Sequence, residues 1–162
     1  LCRFIRLSVS QGVPYLGVCF GHQVLAHALG GVVSRAAEPE VGWVRISRKG
    51  ESPLLEGLPG AFRCFVSHED EVSRLPPGGR LLACSAGCGV QAFQVGSAPV
   101  WGIQFHPQMG VEESCRLVRW RAERHPGLGL DVEAMIRSPE ASRTLPGLRE
   151  RIFGAFVAQA GL

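Results

Sequence analysis

The residues best suited to chemistry in this chain lie between Pro14 and Gln23, where a cysteine stands among small residues. Gly17 and Gly21 each lie two positions from Cys19, which gives the G-x-C-x-G form of a nucleophile elbow. Small flanking residues permit a strained turn that presents the reactive atom at the top of a sheet. The alternative is a buried structural cysteine, but glycines on both sides make it the less favoured interpretation.

The sequence around Cys19 predicts a strand followed directly by a helix. An apolar run over residues 13–18 has the length of a strand, and a helical pattern over residues 24–29 ends at a pair of glycines. A sulfur at this position lies at a helix N-terminus, where unpaired N–H groups and a partial positive charge favour a thiolate. We therefore expect Cys19 to be a nucleophile that favours the thiolate form.

A nucleophilic cysteine needs a base, and the base needs a third group to orient it. Five histidines compete for the role of base. His22 and His27 lie on the elbow helix and His125 lies at a helix end, whereas His68 and His106 follow predicted strands. Open α/β sheets place their sites at the carboxyl ends of strands. His106 is the better candidate because the strand that precedes it can lie beside the elbow strand.

The composition indicates one globular domain. The chain has 162 residues, of which 46% are hydrophobic, and its net charge of +3 is carried almost wholly by arginine. The arginines at 116, 119, 121 and 124 predict a solvated helix face without interleaved aromatic residues, so we expect no nucleic-acid binding. Without a membrane-length apolar run or a leader, the expectation is a soluble, cytoplasmic protein with no membrane partner.

The six cysteines are expected to be reduced thiols, because a chain of this size and apolar content needs no disulfide framework. Cys64, His68, Cys84 and Cys88 have a spacing that could supply four zinc ligands. The spacing is loose, however, and the flank of Cys88 is typical of a turn into a strand. We therefore expect neither a metal site nor a cofactor.

The rest of the chain predicts alternating elements of an α/β protein. Further strands are expected over residues 41–47, 62–66, 80–84, 90–95 and 99–105, and helices over residues 1–11, 111–123, 132–136 and 148–160. A helix is an unusual first element for a parallel sheet, whose strands need neighbours on both sides. We therefore expect further strands upstream of this sequence.

Two motifs, in this order, resemble those of the class I glutamine amidotransferase domain: G-V-C-F-G-H-Q over residues 17–23 and G-I-Q-F-H-P over residues 102–107. The stretches 67–72 and 91–93 also resemble stand-alone relatives of the glutaminase half of GMP synthase. The resemblance covers residues 12–107. It implies a flavodoxin-like, mostly parallel sheet with flanking helices and an antiparallel excursion. It also implies a cysteine that attacks the side-chain amide of glutamine, forms a glutamyl thioester and releases ammonia.

The resemblance makes Cys19 the nucleophile and His106 the base, which then acts as the acid for the leaving ammonia. The family motif continues with a glutamate that orients the histidine, whereas Gln108 occupies this position here. The side-chain carbonyl of Gln108 can accept a hydrogen bond from the ring, but it cannot offset the charge of the imidazolium. We therefore expect Gln108 to belong to the catalytic site of a slowed enzyme.

The substrate-binding residues that the resemblance implies are Phe20, Gln23, Ser67 and His68. The backbone N–H of Phe20 would supply one oxyanion donor, and Gln23 would help to hold the substrate. Ser67 and His68 match a loop that contacts the amino-acid end of the substrate. The family's domain normally begins upstream, with a Gly-Gly loop that supplies the second oxyanion donor. A truncated product and a domain completed by a partner chain both remain open.

The expected organisation is a partial glutamine amidotransferase core over residues 1–110, with residues 111–162 as the helical C-terminal part of the same domain. The expected function is hydrolysis of glutamine, with ammonia passed to an unknown acceptor. The resemblance implies that acceptors of this family lie on a separate synthetase domain, so a synthetase chain is one candidate partner. A γ-glutamyl peptide hydrolase that acts on another γ-glutamyl amide is one alternative. A catalytically impaired homologue that binds a partner is the other.

Overall fold

The computed structural model describes residues 1–161. Two helices alternate with the first two strands, four more strands follow without an α-helix between them, and the C-terminal part is helical. The strands are β1 (Tyr15–Val18), β2 (Val32–Arg48), β3 (Ala61–Arg74), β4 (Gly79–Cys84), β5 (Ala92–Val95) and β6 (Val100–Ile103). The α-helices are α1 (Cys2–Ser10), α2 (Phe20–Ala28), α3 (Val111–Arg124), α4 (Val132–Ile136), α5 (Pro139–Ser142) and α6 (Leu148–Ala160). Short 3₁₀ turns occupy Pro53–Leu55 and Pro126–Leu128.

The strands within residues 1–161 form one sheet in the order β1-β6-β5-β4-β2-β3. The prediction of an α/β protein is confirmed. β1 and β6 pair in parallel, whereas the other four pairings are antiparallel. The mostly parallel pairing expected for the sheet is therefore not found among the described strands. The physical reason is connection length, because short turns join β4, β5 and β6, and only a longer crossover can make neighbours parallel.

β2 and β3 form a long antiparallel ribbon, of which the sequence pattern predicts only the end next to their connection, residues 41–47 and 62–66. Ser67 and His68 lie in β3 opposite Val41 and Glu40 of β2, so the expected loop at residues 67–72 is a strand. Three acidic residues in that stretch interrupt the apolar pattern. The strand continues through them because its backbone is paired, which burial patterns do not reveal.

The hydrophobic residues pack on both faces of the sheet. One cluster combines Ile103 and Ala92 with Ile152 of α6, and a second combines Phe93 with Leu25 of α2. Ala92 and Phe93 are neighbours on β5, so the two clusters lie on opposite faces. Among residues 1–161, no helix is both long and apolar enough to cross a membrane.

Candidate active site

β1 ends and α2 begins at Cys19, which is the tightest point of the turn. Its φ is 52° and its ψ is −106°, and it is the one residue other than glycine with positive φ in the part of the chain that the structure describes. A Cβ at Gly17 would lie 2.4 Å from the carbonyl oxygen of Gly21. A Cβ at Gly21 would meet no atom within 4 Å. The turn is therefore strained, and only Gly17 is sterically required.

The elbow lies beside the end of β6, which leads into His106. Val18 is opposite Ile103 in the parallel pairing, and the N–H of Cys19 donates to the carbonyl oxygen of Ile103 at 2.8 Å. The N–H of His106 donates to the carbonyl oxygen of Phe65 at 2.9 Å. Because parallel neighbours end at the same edge of a sheet, Cys19 and His106 follow the carboxyl ends of adjacent strands.

The half-buried sulfur of Cys19 contacts two polar groups. Its S–H donates to the carbonyl oxygen of Ser67 at 3.9 Å, and Nε2 of Gln104 donates to Sγ at 3.5 Å. Burial raises the pKa of the Cys19 thiol, against smaller lowering effects of the Phe20 N–H, the Arg121 guanidinium and the Gln104 amide. Burial thus outweighs these three contributions, and the pKa of Cys19 does not show the expected preference for the thiolate.

Gln104 connects the sulfur of Cys19 to Gln23. It is fully buried, and its Oε1 accepts a hydrogen bond from Nε2 of Gln23 at 3.0 Å. The same Nε2 donates to the carbonyl oxygen of Asp70 at 2.8 Å. The contact of Gln23 with a substrate stays a prediction. The sequence alone assigns no role to Gln104. Its position two residues before the candidate base His106 is a signal that could have identified it.

The partner of the His106 ring is Gln108. Nε2 of Gln108 lies 3.0 Å from Nδ1 of His106. In this orientation the amide donates and Nδ1 accepts, so the neutral ring carries its proton on Nε2. The expected arrangement is the reverse one, in which the carbonyl of Gln108 accepts from Nδ1. Since an amide can donate or accept whereas a carboxylate only accepts, Gln108 does not select one tautomer.

The environment of His106 disfavours its charged form. Burial, with a smaller contribution from the charge of His68, lowers the pKa of His106 to about 4. The ring is therefore neutral at pH 7 and able to accept a proton. The imidazolium that this would produce has no carboxylate partner, because position 108 carries an amide.

His68 is held by a carboxylate that sequence reasoning does not identify. Its Nε2 lies 3.1 Å from Oε2 of Glu40, and its Nδ1 lies 3.0 Å from the carbonyl oxygen of Asp70. Both partners are hydrogen-bond acceptors, so each ring nitrogen of His68 faces an oxygen. Glu40 also accepts from Nε2 of Gln91 at 2.6 Å and from Oγ of Ser85 at 2.7 Å. Both ring nitrogens of His68 are thus engaged within the protein. The contact of His68 with substrate stays a prediction.

Arg121 reaches the same region from α3. Its Nη1 donates to Oγ of Ser67 at 3.1 Å, and its guanidinium pairs with Glu69, which also pairs with Arg35. The side chain of Arg121 is 12% exposed, whereas that of Arg116 on the same helix is 66% exposed. The predicted solvated arginine face is thus wrong for Arg121. The packing of α3 on Trp43 and Phe65 of the ribbon decides which arginine is buried.

Cys64 and Cys88, two of the four residues whose spacing could supply zinc ligands, are protonated thiols. Burial raises the pKa of both Cys64 and Cys88 to about 12. All six cysteines are free. In the described part of the chain, no group of three or more His, Cys, Asp or Glu side chains could hold a metal ion.

The family model described as "Glutamine amidotransferase class-I" matches residues 2–119. This range includes the cysteine elbow, the buried Gln104 and the strand that leads to His106. The chain therefore belongs to the class I glutamine amidotransferase family.

Its curated relatives include one subunit of the glutamine-hydrolysing GMP synthase from two species. The relative from Thermococcus kodakarensis is 45% identical over 101 residues, which cover 62% of this chain and 54% of the relative. The relative from Saccharolobus solfataricus is 46% identical over 97 residues, which cover 60% of this chain and 52% of the relative. The match thus spans about half the length of these relatives.

Solved structures of glutamine amidotransferases have the same fold. That from Thermotoga maritima superposes with a TM-score of 0.81 at 22% identity, covering 99% of this chain and 68% of that chain. That from Methylobacillus flagellatus has a TM-score of 0.67 at 30% identity, covering 98% of this chain and 64% of that chain. The flavodoxin-like α/β architecture predicted from the sequence is therefore confirmed.

Proposed function

We propose that this chain hydrolyses the side-chain amide of glutamine through a thioester on Cys19 and releases ammonia. The observation that carries the proposal is the strained elbow at Cys19, which lies beside the strand leading to His106 and has Gln104 on its sulfur. Membership of the family and the glutamine-hydrolysing relatives support the proposal.

In the proposed reaction, the Gln108 amide turns so that its carbonyl accepts from Nδ1–H of His106. Nε2 of His106 then takes the thiol proton of Cys19, and the sulfur attacks the amide carbon. The N–H of Phe20 stabilises the oxyanion of the tetrahedral intermediate. The C–N bond then breaks, ammonia leaves with the proton from His106, and a glutamyl thioester remains. Water gives a proton to His106 and attacks the thioester, the C–S bond breaks, and glutamate leaves as Cys19 regains its proton.

For substrate binding we assign the amino-acid end to the surroundings of Ser67 and the side-chain amide to the space beside Gln23. Ser67 supports this assignment because it contacts both the Cys19 sulfur and the Arg121 guanidinium. His68 supports the strand at this point through its contact with Glu40.

We further propose that a separate synthetase chain accepts the ammonia, since the relatives are each named as one subunit of a GMP synthase. Residues 1–110 are proposed as a partial core and residues 111–162 as the helical part of the same domain. The packing of α6 residue Ile152 with Ile103 of β6 supports one shared core.

A catalytically impaired homologue that binds a partner is the second candidate. One observation favours it: the amide of Gln108 faces Nδ1 of His106. A ring protonated on Nε2 cannot accept the Cys19 proton at that nitrogen. In this case the elbow would be retained without turnover.

The test is labelling of the purified protein with a diazoketone analogue of glutamine, beside an assay of ammonia release from glutamine. The tryptic peptide over residues 7–35 contains Cys19 as its single cysteine, so mass spectrometry reports the label directly. We expect label on this peptide and ammonia release, both lost in Cys19→Ala. Label without ammonia release favours the impaired homologue. Absence of both contradicts the proposed function.

A further inference from the structure

Helix α3 brings one guanidinium into the surroundings of the Cys19 sulfur. Nη1 of Arg121 donates to Oγ of Ser67 at 3.1 Å, and the carbonyl oxygen of the same Ser67 is the acceptor for Sγ of Cys19 at 3.9 Å. The arginine and the cysteine therefore contact one residue from two sides. Nε of Arg121 is buried and makes no hydrogen bond with any group that the structure describes.

Glu69 holds this guanidinium in position without cancelling the local charge. Its carboxylate pairs with both Arg121 and Arg35, so two positive groups and one negative group leave one net positive charge. A guanidinium stays charged throughout the pH range in which proteins are folded. Because Arg121 is 12% exposed, water screens its charge less than it screens an exposed arginine.

The other ionisable groups around Cys19 do not supply this charge. His22 on α2 and His106 after β6 are neutral at pH 7, because burial lowers their pKa values to about 3 and about 4. His68 on β3 is paired with the carboxylate of Glu40. The side chain of Asp70 is acidic and its residue is exposed. Arg121 is thus the fixed cation that shares Ser67 with the sulfur.

We propose that Arg121 is a positioning residue whose charge stabilises the thiolate of Cys19, in place of the imidazolium of His106. In support, the charge of Arg121 lowers the pKa of Cys19 while burial raises it. The effect on turnover rests on the proposed glutaminase function. The state of the thiol does not, and it can be measured without glutamine.

The experiment measures the rate of Cys19 alkylation by iodoacetamide against pH, read from the tryptic peptide over residues 7–35. The variants are Arg121→Met and Arg121→Lys, with Arg119→Met as a matched control on an exposed position of the same helix. We expect Arg121→Met to raise the midpoint of the pH profile of Cys19 alkylation and to slow alkylation at pH 7 by about three- to tenfold. A smaller fraction of Cys19 is then thiolate, and the higher nucleophilicity of each thiolate offsets only part of this loss. Arg121→Lys should keep most of the wild-type rate, and Arg119→Met all of it.

An unchanged alkylation profile in folded Arg121→Met would overturn the inference. Should that variant fail to fold, Ser67→Ala decides, because it removes only the hydroxyl that holds Nη1. We expect a smaller upward shift of the midpoint in Ser67→Ala, and an unchanged midpoint would overturn the inference equally. Arg121-dependent alkylation without ammonia release would keep this inference and remove the proposed function. Ammonia release with Arg121-independent alkylation would keep the proposed function and overturn this inference.

Discussion

The nucleophile half of the site, residues 15–28, and the histidine half, residues 100–108, are built by different means. Backbone geometry defines the nucleophile half, where Gly17 makes room for the strained φ of Cys19. Side-chain partners define the histidine half, where the amide of Gln108 faces the ring of His106. One substitution at position 108 therefore changes the protonation chemistry of His106 and leaves the elbow intact.

His68 on the ribbon and His106 after β6 also differ in their side-chain partners. His68 has the carboxylate partner Glu40, while His106 has the amide partner Gln108. A carboxylate stabilises an imidazolium, and an amide leaves it without a counter-charge. The histidine of this region with a carboxylate partner is thus His68, which is 1% exposed in its side chain, whereas His106, placed for catalysis, faces an amide.

The largest effect is expected where the nucleophile half depends on sterics. Gly17→Ala places a Cβ 2.4 Å from the backbone oxygen of Gly21, so we expect a loss of about 3 kcal/mol or more in the free energy of unfolding. Urea denaturation measures it. The matched control is Gly21→Ala, which meets open space and should change stability by no more than about 1 kcal/mol. Equal stabilities of the two variants would contradict the steric origin of the elbow.

Removing the base tests the histidine half. His106→Asn should lower kcat for glutamine hydrolysis on the order of 10²- to 10⁴-fold with little change in KM, because general acid–base catalysis is lost. His125→Asn, at an exposed helix end, serves as the control and should keep wild-type kcat. A loss of less than tenfold in folded His106→Asn would mean that another group is the base.

Glu40→Gln removes the carboxylate of the other histidine. We expect a loss of about 3 kcal/mol in the free energy of unfolding, because His68, Ser85 and Gln91 would lose the carboxylate that they share. Glu38→Gln, on an exposed position of the same strand, should have no measurable effect. Thermal and urea unfolding of both variants check this. A Glu40→Gln protein as stable as Glu38→Gln would show that the pair with His68 contributes nothing.

The buried histidines predict how stability depends on pH. An unfolded histidine has a pKa of about 6.5, whereas burial lowers that of His22 to about 3 and that of His106 to about 4. Below pH 6.5 the unfolded chain therefore binds protons that the folded protein does not, and stability falls as the pH falls towards 4. We expect His22 alone to lower the free energy of unfolding by about 2 kcal/mol between pH 7 and pH 5. Urea denaturation at both pH values, with a smaller difference in His22→Gln, measures this, and equal stability would contradict it.

The elbow at Cys19 and the strand that leads to His106 could be predicted from the sequence because their signals are local. The G-x-C-x-G spacing requires a tight turn, and the apolar strand before His106 points to the same sheet edge. The structure also confirms the helices predicted over residues 132–136 and 148–160, since Pro and Gly mark their ends.

Other site features depend on contacts between distant segments and could not be predicted. The helical pattern over α3 does not reveal that Arg121 is buried and Arg116 exposed, because this depends on where the helix packs. Glu40 meets His68 through the pairing of β2 with β3, in a stretch whose charges suggest a loop. Backbone hydrogen bonds form that strand, and they leave no periodic signal.

The most direct test of the site is kcat for glutamine hydrolysis in Gln108→Glu against wild type at pH 7. A glutamate accepts from Nδ1 of His106 and stabilises its charged form, so it supplies both the tautomer and the counter-charge that Gln108 does not. We predict a rise in kcat on the order of 10²-fold, with stronger labelling of Cys19 by the glutamine analogue. An unchanged or lower kcat in a folded Gln108→Glu protein would contradict a glutaminase site built on Cys19 and His106 and limited by residue 108.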